Sequence, residues 1–160
     1  MYTIIAECAG IIICFFAGYK KSKGLFSFSR RTLLYTLLFS CLYVVFILAI
    51  SSTTAGEDTF REFVFGVSLE PFILLLFYPL VIAVSEEYIF RYFLESKIGT
   101  AFGTMIFTVA HWRPDFPPLM FLFVFVFGLV QVYLFKKSGG LWAPIIGHLA
   151  VTYTLLRLFV

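Results

Sequence analysis

Several side chains with chemical potential stand inside apolar stretches of this chain. Glu86, Glu87 and Arg91 interrupt one such stretch, and the chain's two histidines, His111 and His148, lie in or at the edge of two others. An ionisable group inside a membrane-length segment is costly and is a functional-site hypothesis by default. Carboxylate and imidazole groups together support hydrolysis, a proton relay or the passage of an ion or substrate. The residue types alone leave these three chemistries open.

Helical spacing separates the roles of the two adjacent glutamates. Glu87 and Arg91 are four residues apart, so on a helix they share a face and can pair. Glu86 is rotated from Glu87 by about 100° and points away from that pair. This pattern predicts a catalytic carboxylate beside a structural ion pair. A purely structural alternative stays open, because polar side chains also hold membrane helices together.

The composition indicates the kind of molecule that must position these groups. Of the 160 residues, 61% are hydrophobic and only 13% are charged, against roughly 45–50% and 25% in an ordinary soluble domain. Such a chain has too little polar surface for a globule in water, so we expect an integral membrane protein in contact with the lipid bilayer. The scattered basic residues argue against a nucleic-acid partner. The cysteines form no C-x-x-C pair and predict neither a disulfide framework nor a zinc knuckle.

Six apolar runs can be marked along the chain, and they cover residues 2–18, 33–50, 71–94, 98–111, 117–135 and 141–160. A membrane-spanning helix needs about 20 residues, and open sheet edges are not tolerated in lipid. The sequence therefore predicts an all-α fold, a polytopic bundle of about six transmembrane helices around a polar intramembrane cavity. We expect one integral membrane domain over residues 1–160, with the candidate motifs within residues 71–160.

The basic residues predict the orientation of this bundle. When the six runs alternate across the membrane, nine of the 12 lysines and arginines fall on one side, which the positive-inside rule makes cytoplasmic. Both termini then face outward. At about 1.5 Å per residue, Glu86, His111 and His148 lie roughly 15, 18 and 10 Å from that side, in one layer of the bilayer.

Three short motifs on separate apolar runs resemble a known family. Glu86-Glu87-Tyr88-Ile89-Phe90-Arg91-Tyr92-Phe93-Leu94 resembles EExxxR in its longer EExxFRxxL form, Phe107–His111 resembles FxxxH, and His148–Thr152 stands where HxxxN or HxxxD belongs. The family is the CPBP group of intramembrane proteases, which includes type II CAAX prenyl endopeptidases and bacteriocin-processing and self-immunity proteins. The resemblance covers residues 71–152.

The resemblance implies roles for individual residues. Glu86 is the implied general base that activates a water, His111 helps to hold that water, and His148 helps to stabilise the oxyanion. Glu87 and Arg91 occupy the remaining motif positions and are expected to support the site. Thr152 departs from the usual asparagine or aspartate, which leaves both an active variant and a weakened or inactive member open.

The functional expectation is an intramembrane endopeptidase that cleaves a membrane-associated protein or peptide with glutamate-activated water, in a prokaryotic plasma membrane. The substrate stays open between a prenylated CAAX tail, a bacteriocin leader and a sorting tail. The alternative is a bacteriocin-immunity or interaction protein on the same scaffold. Glu86, His111 and His148 could also hold a zinc ion, as in a metalloprotease, so the cofactor expectation is none or zinc.

Overall fold

A computed structural model describes residues 24–26, 28–53, 72–112, 114 and 116–159 of the chain. Within these ranges the elements are α1 (Arg30–Ser51), α2 (Phe72–Glu86), a π-helical segment (Glu87–Leu94), α3 (Glu95–Ala110), α4 (Pro118–Ser138) and α5 (Trp142–Phe159). The predicted first run, residues 2–18, lies outside the described residues. The all-helical class predicted from the sequence is confirmed for the described part of the chain.

Helix α1 begins three residues before the apolar run that predicted it, and the cause is a cap. The Ser29 hydroxyl accepts the Thr32 backbone N–H at 3.1 Å, and the Thr32 hydroxyl accepts the Ser29 N–H at 3.2 Å. This reciprocal capping box satisfies two backbone donors that the helix leaves free. The cap thus places Arg30 and Arg31 in the first turn.

Helix α2, the π segment and the start of α3 form one continuous helical path that ends at a corner at Gly99. The backbone of Gly99 has φ 81° and ψ 167°, a conformation open to glycine and strained for other residues. The chain reverses there, so the third and fourth apolar runs become separate helices. The sequence placed this boundary between residues 94 and 98.

Helices α4 and α5 are joined by a tight connection. Pro118 opens α4, and Gly139 ends it with φ 76° while its N–H donates to the Phe135 carbonyl at 3.0 Å. Proline at a helix start and glycine just past its end are the favoured residues at these positions. The short link makes α4 and α5 neighbours in the bundle.

The basic ends of α1 and α4 lie at the same end of the bundle. The Leu141 N–H donates to the Leu25 carbonyl, and the Trp142 Nε1–H donates to the Phe26 carbonyl, both at 2.7 Å. These bonds tie the residues just before α1 to the start of α5. Along α1 and α4, ring contacts run from Tyr35–Tyr133 to Phe46–Phe123, so these two helices are antiparallel.

Two of the described helices, α1 and α4, are long and apolar enough to cross a membrane. Only 17% of the α1 span is buried, and leucines such as Leu34, Leu37 and Leu42 lie on its exposed surface. So broad an apolar surface is unusual for a protein in water and suits contact with lipid tails. The number of crossings in the whole chain stays a prediction.

Candidate active site

The structure brings Glu86, His111 and His148 together from three separate helices. Glu86 ends α2, His111 caps the C-terminus of α3, and His148 lies in α5. The Glu86 Oε2 atom lies 3.5 Å from His111 Nε2 and 3.9 Å from His148 Nε2. The Glu86 side chain is 12% exposed. A carboxylate and two imidazole edges therefore converge on one point within the bundle.

The neighbouring Glu87 is held quite differently. Its Oε2 accepts the Arg91 Nε–H at 3.0 Å, and its Oε1 accepts from His148 Nδ1 at 2.9 Å. Glu87 and Arg91 both have side chains that are 0% exposed. The pairing predicted from their spacing is observed, and Glu87 also orients the ring of His148.

Arg91 joins this pair to α3. Its guanidinium carbon lies 4.3 Å from the centre of the Phe107 ring, which is a cation–π contact. Its Nη1 and Nη2 atoms have no hydrogen-bond partner among the described residues. The buried cation is thus balanced by Glu87 on one side and by an aromatic face on the other.

His111 is oriented by the end of its own helix. The His111 N–H donates to the Thr108 carbonyl at 3.2 Å rather than to the carbonyl four residues back. The Phe107 carbonyl instead lies 2.8 Å from His111 Nδ1. Because a carbonyl only accepts, Nδ1 must carry the proton in this contact. The Phe107 ring also packs on the imidazole, with centroids 4.4 Å apart.

The hydrogen bonds of the two rings determine what their other edges present to Glu86. Both Nδ1 atoms donate, one to a carbonyl and one to the carboxylate of Glu87. In a neutral imidazole the remaining Nε2 is then an acceptor. Glu86 Oε2 and the two Nε2 atoms are therefore all acceptors unless one holds an extra proton. Such a cluster suits a ligand that brings its own O–H donors, and a water molecule is the smallest.

The separations also suit a water. At 3.5 and 3.9 Å the direct contacts are at or beyond the limit of a hydrogen bond. A water about 2.8 Å from both Glu86 Oε2 and His111 Nε2 bridges their 3.5 Å separation. Glu86 Oε2 is buried and has no hydrogen-bond partner among the described residues, so this position is also where a polar group would relieve its desolvation.

A small cavity of about 40 Å³ lies beside these groups, enough for a few ordered waters. Its polar lining residues are His111, His148 and Thr152, and the rest of its wall is apolar and includes Phe127. His148 and Thr152 thus face the same space, as their four-residue spacing predicts. Glu86 is not among the lining residues, and the two histidines that line the cavity are the ones it faces.

Sequence reasoning missed Gln131, which is fully buried in the middle of α4. With its amide oriented to satisfy its surroundings, the nitrogen donates to the Pro144 carbonyl at 3.2 Å and the oxygen accepts the His148 N–H at 3.1 Å. The signal was available, since Gln131 is a lone polar residue in the apolar run 117–135. A buried amide is also costly unless it is hydrogen-bonded, so the cost of burial marks Gln131 as well as the ionisable residues.

The sequence also leaves open a zinc ion held by Glu86, His111 and His148. Among the described residues, no group of three or more histidine, cysteine, aspartate or glutamate side chains is placed to hold a metal ion. The metalloprotease interpretation therefore has no support from the geometry. The chemistry assigned to this site uses only the chain's own side chains.

The described part of the chain is thus an all-helical bundle with membrane-length apolar helices and a buried glutamate–histidine site. Residues 68–154 match the type II CAAX prenyl endopeptidase Rce1-like family. The match spans more than half of the chain and contains all three motifs, so the chain belongs to this family. The resemblance inferred from the motifs is confirmed.

One curated relative is similar to part of the chain. It is the uncharacterized protein YpbD of Bacillus subtilis, 29% identical over 77 residues. The aligned region is 48% of this chain and 41% of the relative, so the chain matches less than half of that protein's length. No solved structure matches the chain.

Proposed function

We propose that this protein is an intramembrane endopeptidase that cleaves a membrane-associated protein or peptide with a water activated by Glu86. The observation that carries the proposal is the convergence of Glu86 Oε2 with the Nε2 atoms of His111 and His148 at 3.5 and 3.9 Å. Family membership supplies the reaction class.

The reaction follows from what each group can accept or donate. A water between Glu86 and His111 attacks the scissile carbonyl carbon while one of its protons passes to Glu86. The C–N bond of the resulting tetrahedral intermediate then breaks, and the proton held by Glu86 passes to the leaving nitrogen. The products are a new carboxylic acid and a new amine, and Glu86 returns to its ionised form, so the atoms and charges balance.

His148 has the remaining task of stabilising the oxyanion. Because its Nδ1 is committed to Glu87, its Nε2 donates only when the ring carries a second proton. Ionised Glu86 and Glu87 with Arg91 sum to one negative charge, which favours a second proton on either of the two imidazoles. A doubly protonated His148, which lines the cavity, presents Nε2–H as a charged donor, and charged donors bind an oxyanion more strongly.

A cleavage assay on reconstituted protein tests this proposal. The full chain in lipid vesicles is offered a prenylated CAAX-tail peptide, a bacteriocin-leader peptide and a C-terminal sorting-tail peptide, and the products are identified by mass spectrometry. We expect wild-type protein and Glu95→Gln to cleave one of them and Glu86→Gln to cleave none. Glu95 is a matched control because it pairs with Lys136 at 2.8 Å, outside the glutamate–histidine site. Absence of cleavage by the wild type, or equal cleavage by Glu86→Gln, would refute the proposal.

Thr152 favours a second candidate function, that of a binding or immunity protein on the same scaffold. Its hydroxyl stands in the cavity wall where the family motif has a longer amide or carboxylate. Loss of one oxyanion donor costs about 10²–10³ in rate. If this second function is correct, wild-type protein is inactive in the same assay and Thr152→Asn gains cleavage. If the first is correct, the wild type is active and Thr152→Asn changes the rate without creating it.

A further inference from the structure

We infer that Gln131 is a positioning residue that sets the placement of His148 through the backbone of α5. This inference deepens the proposed function and rests on it for its kinetic consequence. Its structural basis is the contact of one fully buried amide with the Pro144 carbonyl at 3.2 Å and the His148 N–H at 3.1 Å.

The two backbone groups that Gln131 contacts normally bond to each other. In a regular α-helix the N–H of residue 148 donates to the carbonyl of residue 144. The Gln131 amide offers each of them a partner from a different helix. It therefore fixes the α5 backbone relative to α4 at the residue that carries the imidazole.

Helix α4 also controls the ring of His148, one turn away from Gln131. The Phe127 ring meets the imidazole edge to face, with centroids 5.0 Å apart. The Tyr43 hydroxyl in turn donates to the Phe127 carbonyl at 3.3 Å. Since Glu87 holds Nδ1 at 2.9 Å, His148 is held at its backbone, its ring edge and one ring nitrogen.

Gly147 provides the space for this contact. A Cβ atom there would lie 3.1 Å from Leu134 Cδ1 and 3.4 Å from the nearer terminal atom of the Gln131 amide. The absence of a side chain thus allows α4 to approach the turn of α5 that carries His148. The amide and the glycine together set the distance between the two helices at this level.

The chain's two histidines allow a direct test that requires no activity. Protein labelled with ¹⁵N-histidine in detergent micelles gives ring signals from His111 and His148 alone, and His111→Gln assigns them. We expect Gln131→Met, which replaces the amide with an apolar side chain of similar length, to shift the His148 ring signals and leave those of His111 in place. Thr104→Val is the control, since it removes the hydroxyl of a different fully buried residue. We expect it to leave the ring signals of both histidines in place.

Kinetics on the cleaved peptide complete the test. A group that orients a functional side chain is worth about 10- to 100-fold in activity, so we expect Gln131→Met to lower kcat by that factor with little change in KM. If the His148 signals move but no peptide is cleaved by any protein, the positioning stands and the proposed hydrolysis fails. If wild-type protein cleaves, and Gln131→Met matches it in kcat and in the His148 signals, Gln131 is a packing residue and this inference is overturned. The same conclusion follows if Gln131→Met only lowers the unfolding temperature.

Discussion

At the scale of single residues, the adjacent pair Glu86 and Glu87 shows how neighbouring carboxylates acquire different environments. Glu87 is enclosed by Arg91 and His148 at 3.0 and 2.9 Å, so its charge is compensated and its oxygens are occupied. Glu86 faces two ring nitrogens at longer range, and its Oε2 has no hydrogen-bond partner among the described residues. A carboxylate with a free acceptor is the one able to take a proton from water.

This difference predicts opposite effects of the same substitution at the two sites. Glu87→Gln leaves Arg91 buried without its counter-charge, and breaking a buried pair in this way costs about 3–5 kcal/mol. We expect a marked fall in the unfolding temperature of the purified protein in detergent. Glu95→Gln breaks a pair in which Glu95 is 6% exposed but Lys136 is 56% exposed, so water solvates the released ammonium and we expect a smaller loss than for Glu87→Gln. Equal unfolding temperatures for the two variants would contradict the role assigned to Glu87.

At the scale of the elements, the site depends on close approach between helices rather than on a loop. The π-helical segment Glu87–Leu94 follows Glu86 directly and carries Arg91. Such wider turns are frequent at functional sites, and this one places Glu87 against α5 and Arg91 against Phe107 of α3. The helical period in the sequence predicted the Glu87–Arg91 pairing, since residues four apart stay close in both helix types. It gave no signal for the wider turn, which depends on packing between distant segments.

The crossing of α3 and α4 at Gly128 gives a prediction at this scale. A Cβ atom at Gly128 would lie 3.0 Å from Thr104 Cγ2 and 3.1 Å from Phe107 Cδ1. Overpacking of this kind costs about 1–3 kcal/mol, which exceeds the roughly 0.5–1 kcal/mol that alanine gains over glycine in a helix. We expect Gly128→Ala to lower both stability and activity, because Phe107 supports His111 and Arg91.

Gly103→Ala is the matched control for that substitution. The nearest atom to a Cβ at Gly103 is 3.5 Å away, an ordinary contact, so the helix propensity gain of up to about 1 kcal/mol should remain. Thermal unfolding of the two variants in the same detergent makes the comparison. A Gly128→Ala protein as stable and as active as Gly103→Ala would show that the helix crossing is not tightly packed.

At the scale of the whole molecule, the described helices place their basic ends together. Arg30 and Arg31 open α1, Lys136 and Lys137 close α4, and the contacts near Leu25 and Leu141 hold these ends side by side. The positive-inside rule then predicts that this end faces the cytoplasm. The apolar exposed surface of α1 faces lipid in this arrangement.

Cysteine labelling tests the orientation. In a background lacking Cys8, Cys14 and Cys41, we expect a membrane-impermeant maleimide to label Ser52→Cys in intact cells and to label Ser138→Cys only after permeabilisation. Ser52 follows the far end of α1 and Ser138 ends α4 beside the lysines, so the two sites lie at opposite ends of the bundle. The reverse labelling pattern would invert the predicted topology.

The sequence predicted the helical class, the boundaries of the described apolar runs to within a few residues, and the residues that meet at the site. These were accessible because ionisable residues are rare in this chain and helical spacing is regular. The Gly99 conformation, the π segment and the role of Gln131 were not predicted. Each depends on which distant residues become neighbours, and local spacing carries no such information.

The most direct test of the central claim is the cleavage rate of Glu86→Gln relative to Glu95→Gln on one identified peptide in lipid vesicles. Both variants lose one carboxylate, but only Glu86 converges with the Nε2 atoms of His111 and His148. Loss of a general base costs about 10²–10⁴ in rate, so we predict at least a 100-fold deficit for Glu86→Gln at an unchanged unfolding temperature. Equal rates for the two variants would contradict the assignment of Glu86 as the base.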